Sequence, residues 1–141
     1  MKKQSILFLL CSFLFISCKE EKYANETVQL FQNKQITIPK KANKIIVISE
    51  QGCHSCNKHF YEYFQSNKSN KNCYYIINAS GAVLDISELK KGMNENFTLI
   101  NSKEPFFNET KIIVANNRQI DTIIKINARE ITEQISCLDK I

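Results

Sequence analysis

The sequence predicts one α/β domain in which helices flank a mixed β-sheet, preceded by a signal peptide and a tether. Three observations point to it. Ile45-Ile46-Val47-Ile48 is a continuous β-branched run between polar residues, the pattern of a central strand buried on both faces. Cys56, Phe60, Tyr63 and Phe64 then fall at helical spacing and make one apolar face. Ile112-Ile113-Val114-Ala115 and Ile120 to Ile126 flank Asn116-Asn117-Arg118, a hairpin pattern, and a helix closes the chain. The order is β–α–β, an insertion, then β–β–α. A chain of 141 residues has room for one such domain and little for two. With 43% hydrophobic and 10% aromatic residues, low-complexity and wholly disordered chains are excluded.

The elements are read in chain order. Residues 1–17 hold Lys2 and Lys3 ahead of an apolar run from Ile6 to Ile16 diluted by Cys11 and Ser12, a secretory signal peptide too short for a stable membrane span. Its end, Phe15-Ile16-Ser17-Cys18, resembles a bacterial lipobox of the relaxed Bacteroidetes kind, in which a small residue precedes the lipidated cysteine. The resemblance implies that Cys18 becomes the first mature residue and carries the acyl chains of a membrane anchor. Lys19-Glu20-Glu21-Lys22 is weakly similar to a surface-export signal, and a solvated charged leader is the usual reading of such a run. Residues 18–34 are a polar tether leading into an outer strand or turn. The domain spans 35–141, where Ile36-Thr37-Ile38 before Pro39 predicts a short edge strand and Lys40 to Lys44 a solvated turn. Cys73-Tyr74-Tyr75-Ile76-Ile77 is the next strand and Asn78 to Gly81 a turn. Asp85-Ile86-Ser87-Glu88 with Gly92 predicts a short helix, and Phe97-Thr98-Leu99-Ile100 a further strand. Residues 127–140 close the chain as a helix with Ile131, Ile135 and Leu138 on one face.

Charge excludes one class of partner. The formal net charge of +5 falls to +3 once Lys2 and Lys3 leave with the signal peptide, and no basic block exceeds two residues. Nucleic-acid binding is therefore not expected.

The chemistry lies in Cys53-His54-Ser55-Cys56. This CxxC follows a buried strand and opens a helix, where the two sulfurs can close a disulfide across one turn. Cys53 would sit at the helix N-terminus, where unpaired N–H groups and the macrodipole favour a thiolate. His54 could add positive charge, and Cys56, one turn inside, would resolve a mixed disulfide. Haem attachment needs a histidine where Asn57 stands. A heavy-metal chaperone would end on a strand. A zinc site would have to crowd Cys53, His54, Cys56 and His59 into seven residues. No metal or cofactor is therefore expected. A structural Cys53–Cys56 disulfide stays open as an alternative. Glu50 is either a proton acceptor for Cys56 or a solvated loop carboxylate, and His59 is a surface or partly buried side chain.

At this motif the chain resembles the thioredoxin-like superfamily, over about residues 44–138, through strand–CxxC–helix and the terminal β–β–α. The resemblance implies Cys53 as nucleophile and Cys56 as resolving cysteine, acting on extracytoplasmic protein thiols or a redox partner. Three positions depart from the family's pattern: Gly52 where tryptophan is usual, Val47 where many members bury an acid, and Glu109-Thr110-Lys111 where a cis-proline precedes the terminal hairpin. In such a fold Cys73 starts a strand at the end of the sheet far from the CxxC, and Cys137 lies near the end of the last helix. This implies a Cys73–Cys137 disulfide, with two separate small apolar side chains as the alternative. The reading is a lipid-anchored, extracytoplasmic thiol–disulfide exchange protein. A non-catalytic binding lipoprotein on the same fold is the second reading.

Overall fold

The computed structural model describes residues 23–80 and 96–140. The signal peptide, Cys11, Cys18 and the helix expected at 85–92 lie outside them. The chain divides into two compact units, Met1–Thr37 and Ile38–Ile141.

In the first unit residues 23–33 form helix α1. It ends in a Schellman arrangement: Ile36 N donates to the Phe31 carbonyl at 2.9 Å and Gln35 N to the Gln32 carbonyl at 3.0 Å. Gln35 takes the left-handed backbone this stop requires, with φ 56. The stretch from Tyr23 to Asn33, expected within a polar tether leading into an outer strand or turn, is thus helical. The edge strand expected at 36–38 does not form. Those residues leave the helix through the reversal at Gln35 and run into Pro39, which has no N–H for a ladder.

The second unit is α/β, a mixed five-stranded sheet with helices. Its strands are β1 (Lys44–Ser49), β2 (Cys73–Asn78), β3 (Phe97–Ile100), β4 (Lys111–Asn116) and β5 (Gln119–Lys125). Helix α2 is His54–Asn67, α3 is Ile131–Leu138, and a 3-10 turn spans Pro105–Asn108. The sheet order is β3-β2-β1-β4-β5. β1 and β2 are parallel, β2 and β3 are parallel, and β4 runs antiparallel to both β1 and β5. All six residues of β1 are buried, as its unbroken apolar run predicts.

One face of the sheet carries the helices. Ile46, Ile48, Tyr75, Ile77 and Ile112 meet Cys56, Phe60, Tyr63 and Phe64 of α2 and Ile131 and Leu138 of α3 in one core. Phe64 sits at its centre, edge-on to Tyr75 at 4.9 Å and to Phe97 at 5.4 Å. The hairpin turns on Asn117 and Arg118, both with positive φ (49 and 69), the requirement of a type I′ turn. Asn116 remains in the strand opposite Gln119.

The last helix is shorter than the sequence predicts. Asn127 Oδ1 accepts from Arg129 N, a local turn that competes with helix. Gln134 clasps the approach, accepting from Asn127 N and donating to the Lys125 carbonyl. Lys44 is also not a solvated turn residue. It is the buried first residue of β1, and its amine donates to the Leu138 carbonyl at the end of α3, where a cation offsets the negative end of the helix.

Candidate functional site

The site forms where β1 gives way to α2. Glu50 N donates to the Asn78 carbonyl at 3.3 Å, holding the end of β1 against β2. Gly52 takes φ +86, and a Cβ there would meet the Asn108 carbonyl at 3.5 Å. That backbone is open to glycine and strained for any residue with a side chain. Cys53 is then the N-cap of α2, with extended backbone (φ −70, ψ 104). Its Sγ accepts from Cys56 N at 3.4 Å, and its carbonyl takes Asn57 N at 3.0 Å, the first turn of the helix.

Cys53 and Cys56 are joined in a disulfide with Cα atoms 5.3 Å apart. Cys53 is exposed and Cys56 is only 3% exposed. An incoming thiolate can reach the first sulfur and not the second. The Ser55 hydroxyl lies 3.3 Å from Cys53 Sγ and can donate to it.

A hydrogen-bonded relay braces this turn. Thr110, immediately before β4, is 8% exposed. Its Oγ1 accepts from the buried Ser49 N at 3.1 Å and donates to Asn57 Oδ1 at 2.6 Å. Asn57 Nδ2 in turn donates to the Gln51 carbonyl at 3.0 Å. Gln51 N donates to Ser49 Oγ, and its side chain to Ser80 Oγ, both at 3.0 Å. No cis peptide bond occurs among the described residues.

Asn78 arranges the segment that delivers Thr110. Its fully buried amide donates to the carbonyls of Ser102 and Phe107, both at 3.0 Å, and accepts from Ser102 N at 2.9 Å. The roles of Asn57, Asn78 and Thr110 escaped the sequence reading, because single polar residues carry no periodicity. The one available signal was Asn78 ending an otherwise apolar strand.

The other expected site residues scatter. His54, exposed, shares with Glu50, Asn57, Lys58 and Tyr61 the wall of a groove of about 170 Å³ beside the disulfide. His59 faces solvent with Nδ1 3.8 Å from Glu62 Oε2. Val47 pairs across the ladder with Lys111, a buried lysine whose ammonium lies 4.2 Å from the centre of the Phe106 ring. Burial lowers the Lys111 pKa. Among the described residues no three His, Cys, Asp or Glu side chains gather as a metal-holding group.

Cys73 and Cys137 are not joined in the structure; both are free thiols. Cys73 is fully buried at the start of β2, and Cys137 is exposed. The last turn of α3 explains the difference. Leu138 fills the inward position in the core that contains Cys73, and Cys137, one residue earlier, is turned about 100° away from it. Burial pushes the Cys73 thiol above its ordinary value. Tyr63 and Tyr75, raised chiefly by burial and next by Cys73, share its surroundings, and the Tyr63 hydroxyl donates to Asp139 Oδ1 at 3.1 Å.

No family model matches the chain, and neither a curated protein nor a solved structure matches it.

Proposed function

We propose that this protein is a thioredoxin-like thiol–disulfide exchange protein, anchored outside the cytoplasm by lipid on Cys18 and acting on protein thiols through Cys53 and Cys56. The observation that carries the reading is the placement of the disulfide. The exposed sulfur caps a helix, and the second is buried one turn in.

In the oxidising direction a substrate thiolate attacks Cys53 Sγ, and the Cys53–Cys56 bond breaks with Cys56 leaving as the thiolate. A second substrate thiolate attacks the substrate sulfur of the mixed disulfide and releases Cys53. The substrate gains one disulfide, and two electrons stay on the CxxC pair. The reverse steps reduce or isomerise a substrate disulfide. The released Cys53 thiolate keeps the Cys56 N–H and the positive end of α2 within reach. Stabilising that thiolate stabilises the reduced form and makes the disulfide the stronger oxidant, so the arrangement favours oxidation or isomerisation.

Equilibration of the full chain in glutathione buffers tests this reading. An exchanging pair titrates within the range of known thiol oxidoreductases, between roughly −120 and −270 mV. A Cys53–Cys56 bond that stays closed to below about −300 mV is a structural disulfide and overturns it.

A further inference from the structure

We propose that Thr110 is a positioning residue for this exchange, which holds Cys53 on the end of α2 through Asn57 once the disulfide has opened; the proposal rests on the thiol-exchange reading above. In the oxidised protein the covalent bond to Cys56 itself keeps Cys53 Sγ over the first turn of the helix. Reduction removes that tie. What remains are the Asn57 N–H on the Cys53 carbonyl, the bonds of Gln51 to Ser49 and Ser80, and between them Gly52, whose backbone at φ +86 has other conformations open to it.

The relay adds a constraint that ties the turn to β4. The turn's first carbonyl, that of Gln51, is taken by Asn57 Nδ2 at 3.0 Å. Asn57 is fixed in that orientation because its Oδ1 receives the Thr110 hydroxyl at 2.6 Å. An amide whose oxygen is the acceptor must present its nitrogen on the other side, so the Thr110 proton decides which way Asn57 faces. Thr110 is itself tied to the sheet, since its Oγ1 accepts from the buried Ser49 N at the end of β1. The chain of bonds therefore runs from the sheet to the turn that carries Cys53.

The consequence is electrostatic. A helix terminus stabilises an anion only within its first turn, so a Cys53 thiolate that drifts away loses the Cys56 N–H and the macrodipole together. Thr110 touches neither sulfur; it acts by keeping one of them in place.

The test is the pH profile of Cys53 alkylation in the reduced full chain, read by mass spectrometry of the Cys53 peptide. Thr110→Val keeps the shape and removes the hydroxyl. Thr110→Ser keeps the hydroxyl. The titratable side chains on the segments that meet here, Glu50, His54, Lys58, Glu109 and Lys111, are unchanged in both. The expected result is that Thr110→Val raises the Cys53 midpoint by about one unit or more, a tenfold loss of thiolate at fixed pH, while Thr110→Ser stays near wild type. Asn57→Ala, a half-buried helix position, breaks the same relay and gives the same shift should Thr110→Val not fold. A Cys53 midpoint unchanged in the folded Thr110→Val or Asn57→Ala protein overturns the proposal. Because the profile is read on the thiol itself, it stands apart from whether any substrate is exchanged: a shifted midpoint without an exchanging disulfide would remove the function and leave the relay.

Discussion

At the scale of single residues, the most demanding environment is the one around Cys73, at the end of the sheet away from the disulfide. A thiol and two tyrosine hydroxyls are kept un-ionised there by burial, beside the Lys44 amine and the Asp139 carboxylate. Each of the three groups has its pKa raised in the folded protein. The unfolded chain therefore releases protons first, and stability present below the ordinary values is lost as pH rises above them. Lys111 has the opposite sign, since its pKa is lowered on folding, but it is one group against Cys73, Tyr63, Tyr74 and Tyr75. Urea unfolding at a series of pH values should show stability falling from about pH 9, the ordinary value for Cys73, and more steeply above 10, where the tyrosines join. In Cys73→Ala the first part of the decline should vanish and the second remain. A flat profile between pH 8 and 11 in the wild-type protein would contradict this account.

At the scale of elements, the loop between β3 and β4 depends on one side chain. Asn78 partners two carbonyls and one N–H that have no ladder to join. Asn78→Ala removes this partner from all three in a buried place, at up to about 1–3 kcal/mol each before other partners, water or relaxation offset part of the loss. A destabilisation of about 3 kcal/mol in urea unfolding is expected, and one below about 1 kcal/mol would show that the loop is held some other way. Elements such as this loop mark the limit of what the sequence displays. The Ile45–Ile48 run, the α2 stripe and the Asn-rich hairpin were legible because each repeats a period or carries a turn residue with a fixed backbone demand. Helix α1 was hidden in a polar stretch whose stop signal, a left-handed Gln35, is carried by a residue that rarely takes that role. The cysteines of the site were legible by spacing. Thr110 was not, since it lies 53 residues from the Asn57 it orients and only the fold brings them together.

At the scale of the whole molecule, the second unit is a rigid sheet with polar work at both ends. The carboxyl ends of the parallel strands carry the disulfide, the relay and the groove, and the opposite end carries Cys73 and Lys44 under the last turn of α3. The sheet between them is apolar, so the two ends are chemically separate. Among the described residues no helix is long and apolar enough to cross a membrane. The central claim is that in the proposed exchange the Cys53–Cys56 disulfide is attacked at Cys53 by thiolates of other proteins, the reduced Cys53 attacks their disulfides, and Cys56 releases the mixed disulfide. Cys56→Ser removes the release step and leaves the nucleophile. Expressed in its own cell envelope, this variant should accumulate mixed disulfides that vanish on reduction and depend on Cys53. Their absence, with the variant folded and exported, would contradict the claim.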